Sequence, residues 1–318
     1  MKHSKILITG GAGFIGTHLA ERLYRTNKIR IFDNLRRDSI KYMPGLKAHP
    51  NVEFVVGDIL NSQAVRSAVR DCDVVMHLAA IAGVSSYYSQ PADTLMVNLI
   101  GTINVLEGSR RAGIKKLIYF STSEVYGQDA FDVDEESNYN IGPVSDLRWS
   151  YAMSKAAGEN LVIRYGEKYG FKSYAVRPFN IYGPRQTGEG AISNFLTAII
   201  NKKPIIINGN GSPIRAWCYV SDCVDAVENI MRNSKLKSGV FNIGNPREAY
   251  STIGLARLVC EVTKRKIPIV FKKMGRSEIR VRVPNIEKAR RELDFDPKIG
   301  LREGLEMTYR YFRKQVSR

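Results

Sequence analysis

The chain has 318 residues, 44% of them hydrophobic, which is enough to bury a large core in one two-lobed unit or in two domains. No apolar run is long enough to cross a bilayer, and the four cysteines show no metal-ligand or disulfide spacing. The 48 Lys and Arg residues against 31 Asp and Glu residues leave a net charge of +17, which suggests an anionic partner. The lack of a membrane-spanning run and of disulfide spacing predicts a cytoplasmic protein that does not bind a membrane. Because no nucleic-acid-binding motif is present, we expect the anionic partner to be a charged small molecule and not a nucleic acid.

The first predicted element is a strand that runs into a glycine-rich turn, KILITGGAGFIG at 5–16. Residues 6–8 form a short apolar run, typical of a strand buried on both faces, and a helical apolar pattern follows the glycines. A strand, a tight glycine turn and a helix N-terminus together receive the pyrophosphate of a dinucleotide. We therefore predict a dinucleotide site whose loop residues are Gly10, Gly13, Phe14, Ile15 and Gly16.

Asp33 lies seventeen positions after Gly16, at the end of a second predicted strand over 29–32, and Asn34 follows it. A carboxylate at this place can accept hydrogen bonds from ribose hydroxyls and repel a 2′-phosphate. The spacing therefore predicts NAD as the cofactor. Two alternatives stay open: Asp33 could only cap a turn, and the neighbouring Arg36 and Arg37 favour NADP.

Strands and helices alternate through the first half of the chain. Strands are predicted over 52–56, 74–78 and 116–120, and helices over 62–69 and 94–112. This alternation predicts an α/β fold with a doubly wound parallel sheet, in which ligands bind beyond the carboxyl ends of the strands. The candidate cofactor residues at those ends are Asp58, Ile59, Ala79 and Ala80.

Two of these strand-end residues have more than one interpretation. Asp58 could accept a hydrogen bond from an adenine amino group or serve only as a turn residue. His77, in HLAA, is expected to be a packed histidine and not a catalytic one.

Tyr151 and Lys155 lie four residues apart on a predicted helix, so both project from one face. Tyrosine is a poor base at neutral pH because its pKa is near 10, but a nearby ammonium stabilises the phenolate and lowers that pKa. The Y-x-x-x-K spacing alone is common. Here it follows a strand end rich in hydroxyl groups, residues 121–123, which could bind the same substrate oxygen.

At this point the sequence resembles the extended short-chain dehydrogenases/reductases that act on nucleotide sugars. The resemblance covers nearly the whole chain and lies in TGGAGFIG at 9–16, GDI at 57–59, HLAA at 77–80, STSEVYG at 121–127, YAMSK at 151–155, RPFNIYGPRQ at 177–186, RAWCYVSD at 215–222 and FNIGN at 241–245. It implies a Rossmann domain over 1–177 with a returning strand near 240–245, and a smaller C-terminal lobe, mostly substrate-binding, over 178–318.

The resemblance also implies a chemistry. NAD would take a hydride from the sugar C4 while Tyr151 takes the hydroxyl proton, which leaves a 4-keto sugar. Thr122 would bond the same oxygen, and Lys155 would also hold the nicotinamide ribose. The product is then a 4-epimer, a 4,6-dehydrated sugar or a decarboxylated sugar. Relatives are typically homodimers that pack the helices near 94–112 and 151–168, so a homodimer is expected.

Three residues favour a UDP-glucuronate decarboxylase within this group. Glu124 stands where dehydratases and these decarboxylases carry a glutamate, Arg148 precedes Tyr151 by three as in the decarboxylase loop, and Tyr87 matches a tyrosine of that loop. If Glu124 only caps a turn, a 4-epimerase gains, and Ala216-Trp217 departs from the usual decarboxylase pattern. A non-catalytic NAD-binding scaffold is the distant alternative.

The remaining substrate residues are carried over from the same motifs. Asn180 resembles the family's substrate-binding asparagine, Arg215 and Arg276 match positions that hold the nucleotide diphosphate, and Arg282 aligns with an arginine near the sugar carboxylate. The cluster Arg276, Arg280 and Arg282 could equally form a solvated face. The predicted substrate set is Tyr87, Ser123, Arg148, Asn180, Arg185, Arg215, Arg276 and Arg282.

Overall fold

Fifteen strands form four sheets within residues 3–273 and 278–316, the part of the chain that this computed structural model describes. In chain order the strands are β1 (Lys5–Thr9), β2 (Lys28–Asp33), β3 (Val52–Val56), β4 (Val74–His77), β5 (Lys116–Phe120), β6 (Asp129–Val133), β7 (Lys172–Pro178), β8 (Ile181–Tyr182), β9 (Ile205–Asn208), β10 (Ile214–Ala216), β11 (Cys218–Tyr219), β12 (Gly239–Ile243), β13 (Ala249–Ser251), β14 (Ile269–Lys272) and β15 (Val281–Pro284).

Eleven α-helices connect these strands within the same described residues. They are α1 (Phe14–Leu23), α2 (Pro44–Lys47), α3 (Ser62–Val69), α4 (Val84–Ser89), α5 (Pro91–Ala112), α6 (Trp149–Tyr169), α7 (Ala191–Ile200), α8 (Val220–Arg232), α9 (Thr252–Thr263), α10 (Glu287–Leu293) and α11 (Leu301–Val316). Two short 3-10 turns accompany them, Ile40–Tyr42 and Ser123–Tyr126. Helix α5 begins three residues before the predicted position, because Pro91 at the first helical position needs no backbone N–H.

The seven-stranded sheet is parallel throughout and runs in the order β3-β2-β1-β4-β5-β7-β12. Successive residues of β1 alternate between its two faces. Ile6 and Ile8 pack in a core with Leu19 of α1, whereas Leu7 packs in a second core with Val105 of α5. Burial on both faces explains the unbroken apolar run in the sequence. The predicted α/β, doubly wound parallel sheet is therefore confirmed.

The strand order reverses between β1 and β4, which creates a crevice at the carboxyl ends of these strands. The glycine turn between β1 and α1 opens onto this crevice, and so do the ends of β2, β3 and β5. The crevice is the place where a doubly wound sheet binds its ligand.

The second half of the chain builds smaller sheets beside the large one. These are β13-β10-β15-β6, β11-β8 and β14-β9. Strand β6 comes from the first half of the chain and pairs with β15, whereas β12 returns to the large sheet beside β7. Helix α8 also returns, where Asp225 and Glu228 bond to Arg22 of α1. These crossings join the two predicted parts, and their division at residue 178 stays a prediction.

Among the described helices, none is both long enough and apolar enough to cross a membrane. The same residues contain no group of three or more His, Cys, Asp or Glu side chains arranged to hold a metal ion.

Candidate active site

The crevice is lined by every residue that the sequence predicted as cofactor-binding. The glycine turn forms one wall, the ends of β2 and β3 form the next, and the segment after β4 and helix α6 close the cleft. The predicted residues along this lining are Gly10, Gly13, Phe14, Ile15, Gly16, Asp33, Asn34, Asp58, Ile59, Ala79, Ala80, Tyr151 and Lys155.

The glycine turn is shaped for close approach of another group to the backbone. Gly10 has φ +69°, and a Cβ built on it would lie 2.6 Å from the backbone nitrogen of Ala79. The N-terminus of α1 follows directly, and no side chain caps it. Free backbone N–H groups at a helix N-terminus attract a phosphate. The turn therefore fits the diphosphate of a dinucleotide.

Asp33 holds the turn while it faces the cleft. Its carboxylate accepts hydrogen bonds from the backbone nitrogens of Ala12, at 3.0 Å, and Leu35, at 2.7 Å. Burial raises the pKa of Asp33, and the two backbone hydrogen bonds oppose that rise. Asp33 thus caps a turn and also lines the cleft, so the two interpretations of the sequence do not exclude each other.

Arg36 and Arg37 line the same cleft but are already bonded within the protein. Arg36 donates to Oε1 of Gln90 at 2.8 Å, and Arg37 donates to the carbonyl oxygen of Ala82. Both arginines are therefore tied to the segment that precedes α5. The exposed carboxylate of Asp58 accepts a hydrogen bond from Asn34, at 3.2 Å.

Lys155 is buried at the carboxyl end of β5 in the large sheet. Its ammonium donates to the carbonyl oxygen of Phe120 at 2.6 Å and lies 4.7 Å from the centre of the Tyr119 ring. Burial lowers the pKa of Lys155 to about 7, and the nearby Glu159 carboxylate opposes this effect. Among the residues that the structure describes, this carbonyl oxygen is the one hydrogen-bond partner of the ammonium. A buried cation with so few partners is stabilised less than it would be in water.

Tyr151 faces the cleft from the preceding turn of α6 and stacks on Tyr87, with ring centroids 5.3 Å apart and planes 13° from parallel. Desolvation raises the pKa of Tyr151 to about 12, although a hydrogen bond with Thr122 acts in the opposite direction. We expected the Lys155 ammonium to lower this pKa, and that expectation is wrong for the structure. Desolvation outweighs the effect of the neighbouring charges.

His77 is a packed histidine, as the sequence suggested. Its ring nitrogens lie 2.7 Å from the Thr9 hydroxyl and 3.0 Å from the Thr102 hydroxyl, both in buried contacts. Burial lowers the pKa of His77 to about 3. The imidazole is therefore neutral and faces no open space.

Glu124 lies between two arginines. Arg148 donates to both carboxylate oxygens at 3.0 Å each, and Arg282 donates to Oε1. Arg282 also donates to the carbonyl oxygen of Gly127 at 3.0 Å. Burial by itself would raise the pKa of Glu124, but the two guanidinium groups lower it to about 2. The carboxylate is therefore firmly ionised.

Three separate elements bring this cluster together. Glu124 lies in the 3-10 turn after β5, where the Thr122 hydroxyl accepts from the Glu124 backbone nitrogen at 3.2 Å. Arg148 precedes α6 directly, and Arg282 lies in β15. Their sequence separations hide the cluster, because the pairing of β15 with β6 and β10 brings Arg282 to this place.

Arg215 joins the cluster from the neighbouring strand. Strand β10 pairs with β15 so that Arg215 lies directly opposite Arg282. Burial, together with the positive charge of Arg282, lowers the pKa of Arg215 to about 9. Tyr87 is 3% exposed, and burial raises the pKa of its hydroxyl, whereas the charges of Arg148 and Arg282 oppose that rise. The result is a basic cluster near Tyr151, in which Arg148 and Arg282 bond the Glu124 carboxylate. The guanidinium of Arg215 donates instead to the carbonyl oxygens of Ile214, at 2.9 Å, and Ile279, at 2.8 Å.

The other predicted substrate residues are held in different ways. Asn180, at φ 42°, donates from its amide to the carbonyl oxygen of Ala216 at 2.9 Å. Arg185 is bonded to Glu21 of α1 at 2.6 Å and lies apart from the Glu124 cluster. Ser123 is buried at the start of the 3-10 turn. Arg276 lies outside the described residues, and the substrate roles of all these residues stay predictions.

Several lining residues were not among our candidates. Gln186, Thr187 and Glu189 follow β8 and close the cleft from the side of the smaller sheets. Oε1 of Gln186 and the hydroxyl of Ser121 are buried without a hydrogen-bond partner among the described residues. Such atoms suit a polar ligand in the cleft. Their position just beyond strand ends was the signal that could have identified them.

The fold and this cleft define the class of protein. Residues 6–244 match the family model described as the NAD dependent epimerase/dehydratase family. The chain belongs to this family, and its cofactor is NAD. The predicted nucleotide-sugar-modifying enzyme of the extended short-chain dehydrogenase/reductase type is thereby confirmed.

Three known proteins illustrate the similarity. The chain is 35% identical to the UDP-N-acetyl-alpha-D-glucosaminuronate decarboxylase of Bacillus cytotoxicus, over 98% of each chain. It is 34% identical to UDP-glucuronic acid decarboxylase 1 of Arabidopsis thaliana, over 99% of this chain and 71% of that protein. The structure of the UDP-glucuronic acid 4-epimerase of Bacillus cereus, in complex with UDP-glucuronic acid and NAD, is similar with a TM-score of 0.90 at 28% identity, over 98% of this chain and 99% of that chain.

Proposed function

We propose that this chain decarboxylates a UDP-uronate, with UDP-glucuronate as the favoured substrate. The observation that carries the proposal is the basic cluster near Tyr151, in which Arg148 and Arg282 bond Glu124 and Arg215 lies opposite Arg282 on the neighbouring strand. A nucleotide sugar that carries both a diphosphate and a C5 carboxylate supplies the negative charge that such a cluster lacks.

The cluster and the neighbouring cleft fit a simple sequence of steps. Bound NAD would supply the hydride acceptor for the sugar C4 and would later return the hydride. The phenolate form of Tyr151, which a pKa of about 12 makes the minor form at neutral pH, takes the C4 hydroxyl proton, and Thr122 bonds the same oxygen. The resulting ketone lies β to the C5 carboxylate, so the bond between C5 and the carboxyl carbon breaks, carbon dioxide leaves, and its electron pair stays on the sugar as an enolate. C5 then takes up a proton from water, and Tyr151 gives its proton back to the C4 oxygen when the hydride returns to C4.

The charge state of Glu124 bears on the alternatives. A 4,6-dehydration needs a base for the C5 proton and an acid for the C6 hydroxyl. With a pKa of about 2, the Glu124 carboxylate is a weak base and no acid at neutral pH. Decarboxylation needs neither a base nor an acid at Glu124, because the electron pair of the broken bond stays on the sugar when carbon dioxide leaves.

The names of the relatives also support a uronate. Two proteins at 34–35% identity are named as decarboxylases of UDP-glucuronic acid and UDP-N-acetyl-glucosaminuronate. A second candidate is a UDP-uronate 4-epimerase, because the structure named UDP-glucuronic acid 4-epimerase superposes with a TM-score of 0.90. Both candidates share the substrate and the 4-keto sugar, so only the product distinguishes them.

The test is product analysis by mass spectrometry and sugar NMR. The purified protein is incubated with NAD and, separately, with UDP-glucuronate, UDP-N-acetylglucosaminuronate, UDP-glucose and dTDP-glucose. We expect loss of carbon dioxide from a uronate and no turnover of the neutral sugars. An isobaric product with inverted C4 would replace the proposal with the epimerase, and loss of water would replace it with a dehydratase. Tyr151→Phe is the inactive control.

We also propose that the protein is a homodimer that pairs through α5 and α6. These two helices pack against each other, and their outer side exposes apolar residues such as Met96 at 54%, Ile103 at 38% and Met153 at 42%. We expect light scattering to give twice the chain mass and Met96→Lys to give a monomer. Val144→Lys, at an 89% exposed position before α6, is the control that should stay dimeric. A monomeric wild-type protein would contradict the proposal.

A further inference from the structure

A buried ion pair lies one helical turn beyond Lys155. Glu159 is 1% exposed and Arg177 is 2% exposed. Arg177 donates from Nε to Oε1 and from Nη2 to Oε2 of Glu159, both at 2.9 Å, and the Tyr139 hydroxyl donates to Oε2 at 2.5 Å. Burying two charges is costly unless their hydrogen bonds are complete. This pair is bidentate and has a third donor.

The rest of the structure fixes the arginine of this pair. Arg177 lies near the end of β7 and donates from Nη1 to the Tyr126 hydroxyl at 2.6 Å and to the carbonyl oxygen of Glu135 at 3.3 Å. The Tyr126 hydroxyl in turn donates to Oδ1 of Asn242 in β12, at 2.8 Å. The carboxylate of Glu159 is therefore held in one orientation by groups from several elements.

The surroundings of Lys155 contain little that favours a charged ammonium. Strand β5 contributes the Tyr119 ring and one carbonyl oxygen, β4 contributes the neutral His77, and α6 contributes Tyr151. The described residues place no carboxylate within ion-pair distance of Lys155. The negative charge of Glu159 raises the pKa of Lys155. The positive charge of Arg177, on β7, is bonded to that carboxylate and acts in the opposite direction.

We propose that Glu159 is a positioning residue of the reaction: held by Arg177 and Tyr139, its carboxylate keeps the buried Lys155 ammonium charged beside Tyr151. Glu159 touches neither the cleft nor the reacting atoms and acts through Lys155. This inference rests on the role of Lys155 and Tyr151 in the proposed function. It assigns a task to an ion pair that otherwise would only stabilise the fold.

The test measures the titration of Lys155 directly. The protein is labelled with 15N-lysine and saturated with NAD, and the Lys155 signal, assigned by its loss in Lys155→Met, is followed by NMR against pH. In Glu159→Gln we expect the midpoint of Lys155 to move down by about one pH unit, because a nearby opposite charge shifts a pKa by about that much. In Glu159→Asp, which keeps the charge, we expect the midpoint of Lys155 to stay close to the wild-type value.

The matched control is Glu107→Gln. Glu107 on α5 also bonds an arginine, Arg110 at 2.8 Å, and a tyrosine, Tyr165 at 3.1 Å, but it does not act on Lys155. We expect no change of the Lys155 midpoint in this variant. An equal midpoint in wild type, Glu159→Gln and Glu107→Gln would overturn the proposal and leave the ion pair with a structural role only.

A second variant and a readout that does not depend on turnover make the test decisive. If Glu159→Gln does not fold, the double variant Glu159→Gln/Arg177→Gln removes the unpaired cation, and its two amides can bond each other. A downward shift smaller than that of Glu159→Gln is expected there, because the positive charge of Arg177 is removed together with the negative charge of Glu159. A Lys155 midpoint equal to that of the wild type would again overturn the proposal. The NMR titration needs no turnover, so it gives its answer even if the nucleotide sugars of the previous section are not converted.

Discussion

The proposed active site has two halves that are built in different ways. In the cofactor half, the lining groups come mainly from one glycine turn and from strand ends of a single sheet. In the sugar half, where the proposal places the substrate, Glu124, Arg148, Arg215 and Arg282 come from a 3-10 turn, a helix start and two strands of a different sheet. The first half depends on backbone conformation, and the second depends on side chains that only the tertiary fold brings together.

The two carboxylates of these halves show the same contrast. Burial raises the pKa of Asp33, whose partners are two backbone N–H groups. For Glu124, burial acts in the same direction, but two guanidinium groups outweigh it and lower the pKa to about 2. Neutral donors do not offset desolvation as well as full positive charges do. The cofactor half therefore depends on the placement of neutral backbone groups, and the sugar half depends on the pairing of full charges.

The largest expected effect lies at Tyr151, where the two halves meet. Tyr151→Phe should lower turnover by about a thousandfold or more, because the proton of the C4 hydroxyl loses its acceptor. The ring still stacks on Tyr87, so NAD binding and the thermal midpoint should change little. Steady-state kinetics and bound-NAD analysis check both points. Turnover close to that of the wild type would remove Tyr151 from the reaction.

The next effect breaks the cofactor half alone. Gly10→Ala should abolish NAD binding and lower the free energy of unfolding by about 2–4 kcal/mol, because a Cβ adds a clash with Ala79 to the left-handed strain. Gly113→Ala is the matched control, since Gly113 has φ +66° and open space around its Cβ position. It should lose only about 1–2 kcal/mol and keep NAD binding. Denaturant unfolding and NAD titration measure both, and equal effects would contradict the close-approach argument.

A third experiment breaks the sugar half alone. Glu124→Gln should lower the free energy of unfolding at pH 7 by about 3 kcal/mol, because the folded pKa of about 2 lies below the ordinary value of 4.5. That stability is fully present above pH 4.5 and is lost as the pH falls through about 2, so the difference from wild type should shrink in acid. NAD binding should stay unchanged.

The control for this experiment is Glu53→Gln. Glu53 bonds Arg30 at 2.7 Å, but its side chain is 51% exposed, so its loss should cost less than about 1 kcal/mol at any pH. Urea unfolding at pH 7 and pH 3 measures all three proteins. A difference between Glu124→Gln and wild type that does not shrink at pH 3 would show that the arginines do not hold Glu124 ionised.

The smallest effect concerns cofactor choice. Asp33→Asn keeps an acceptor oxygen for the backbone of Ala12 or Leu35 but removes the charge. We expect NAD affinity to fall about tenfold and the preference for NAD over NADP to narrow, since repulsion of a 2′-phosphate is lost. Arg36→Gln is the control, because Arg36 is bonded to Gln90. Unchanged NAD/NADP selectivity in Asp33→Asn would contradict the role given to the carboxylate.

The cofactor half was predictable residue by residue. Strands at 52–56 and 116–120 have the predicted bounds, and every predicted cofactor residue lines the cleft. The sugar half was predictable only through motifs. The sequence named Glu124, Arg148, Arg215 and Arg282 separately, and nothing in their spacing indicates that Arg148 and Arg282 both bond Glu124. Arg185 was predicted with them but is bonded to Glu21 of α1.

Local sequence by itself determined the parallel sheet, the glycine turn and the spacing of Tyr151 and Lys155, because hydrophobic period, φ preference and helical spacing act over a few neighbouring residues. Only the tertiary structure decided the charge of the site: the basic cluster at Glu124, the burial that raises the pKa of Tyr151 to about 12, and the ion pair beyond Lys155. Burial and charge pairing depend on residues far apart in the chain, and local patterns carry no record of them.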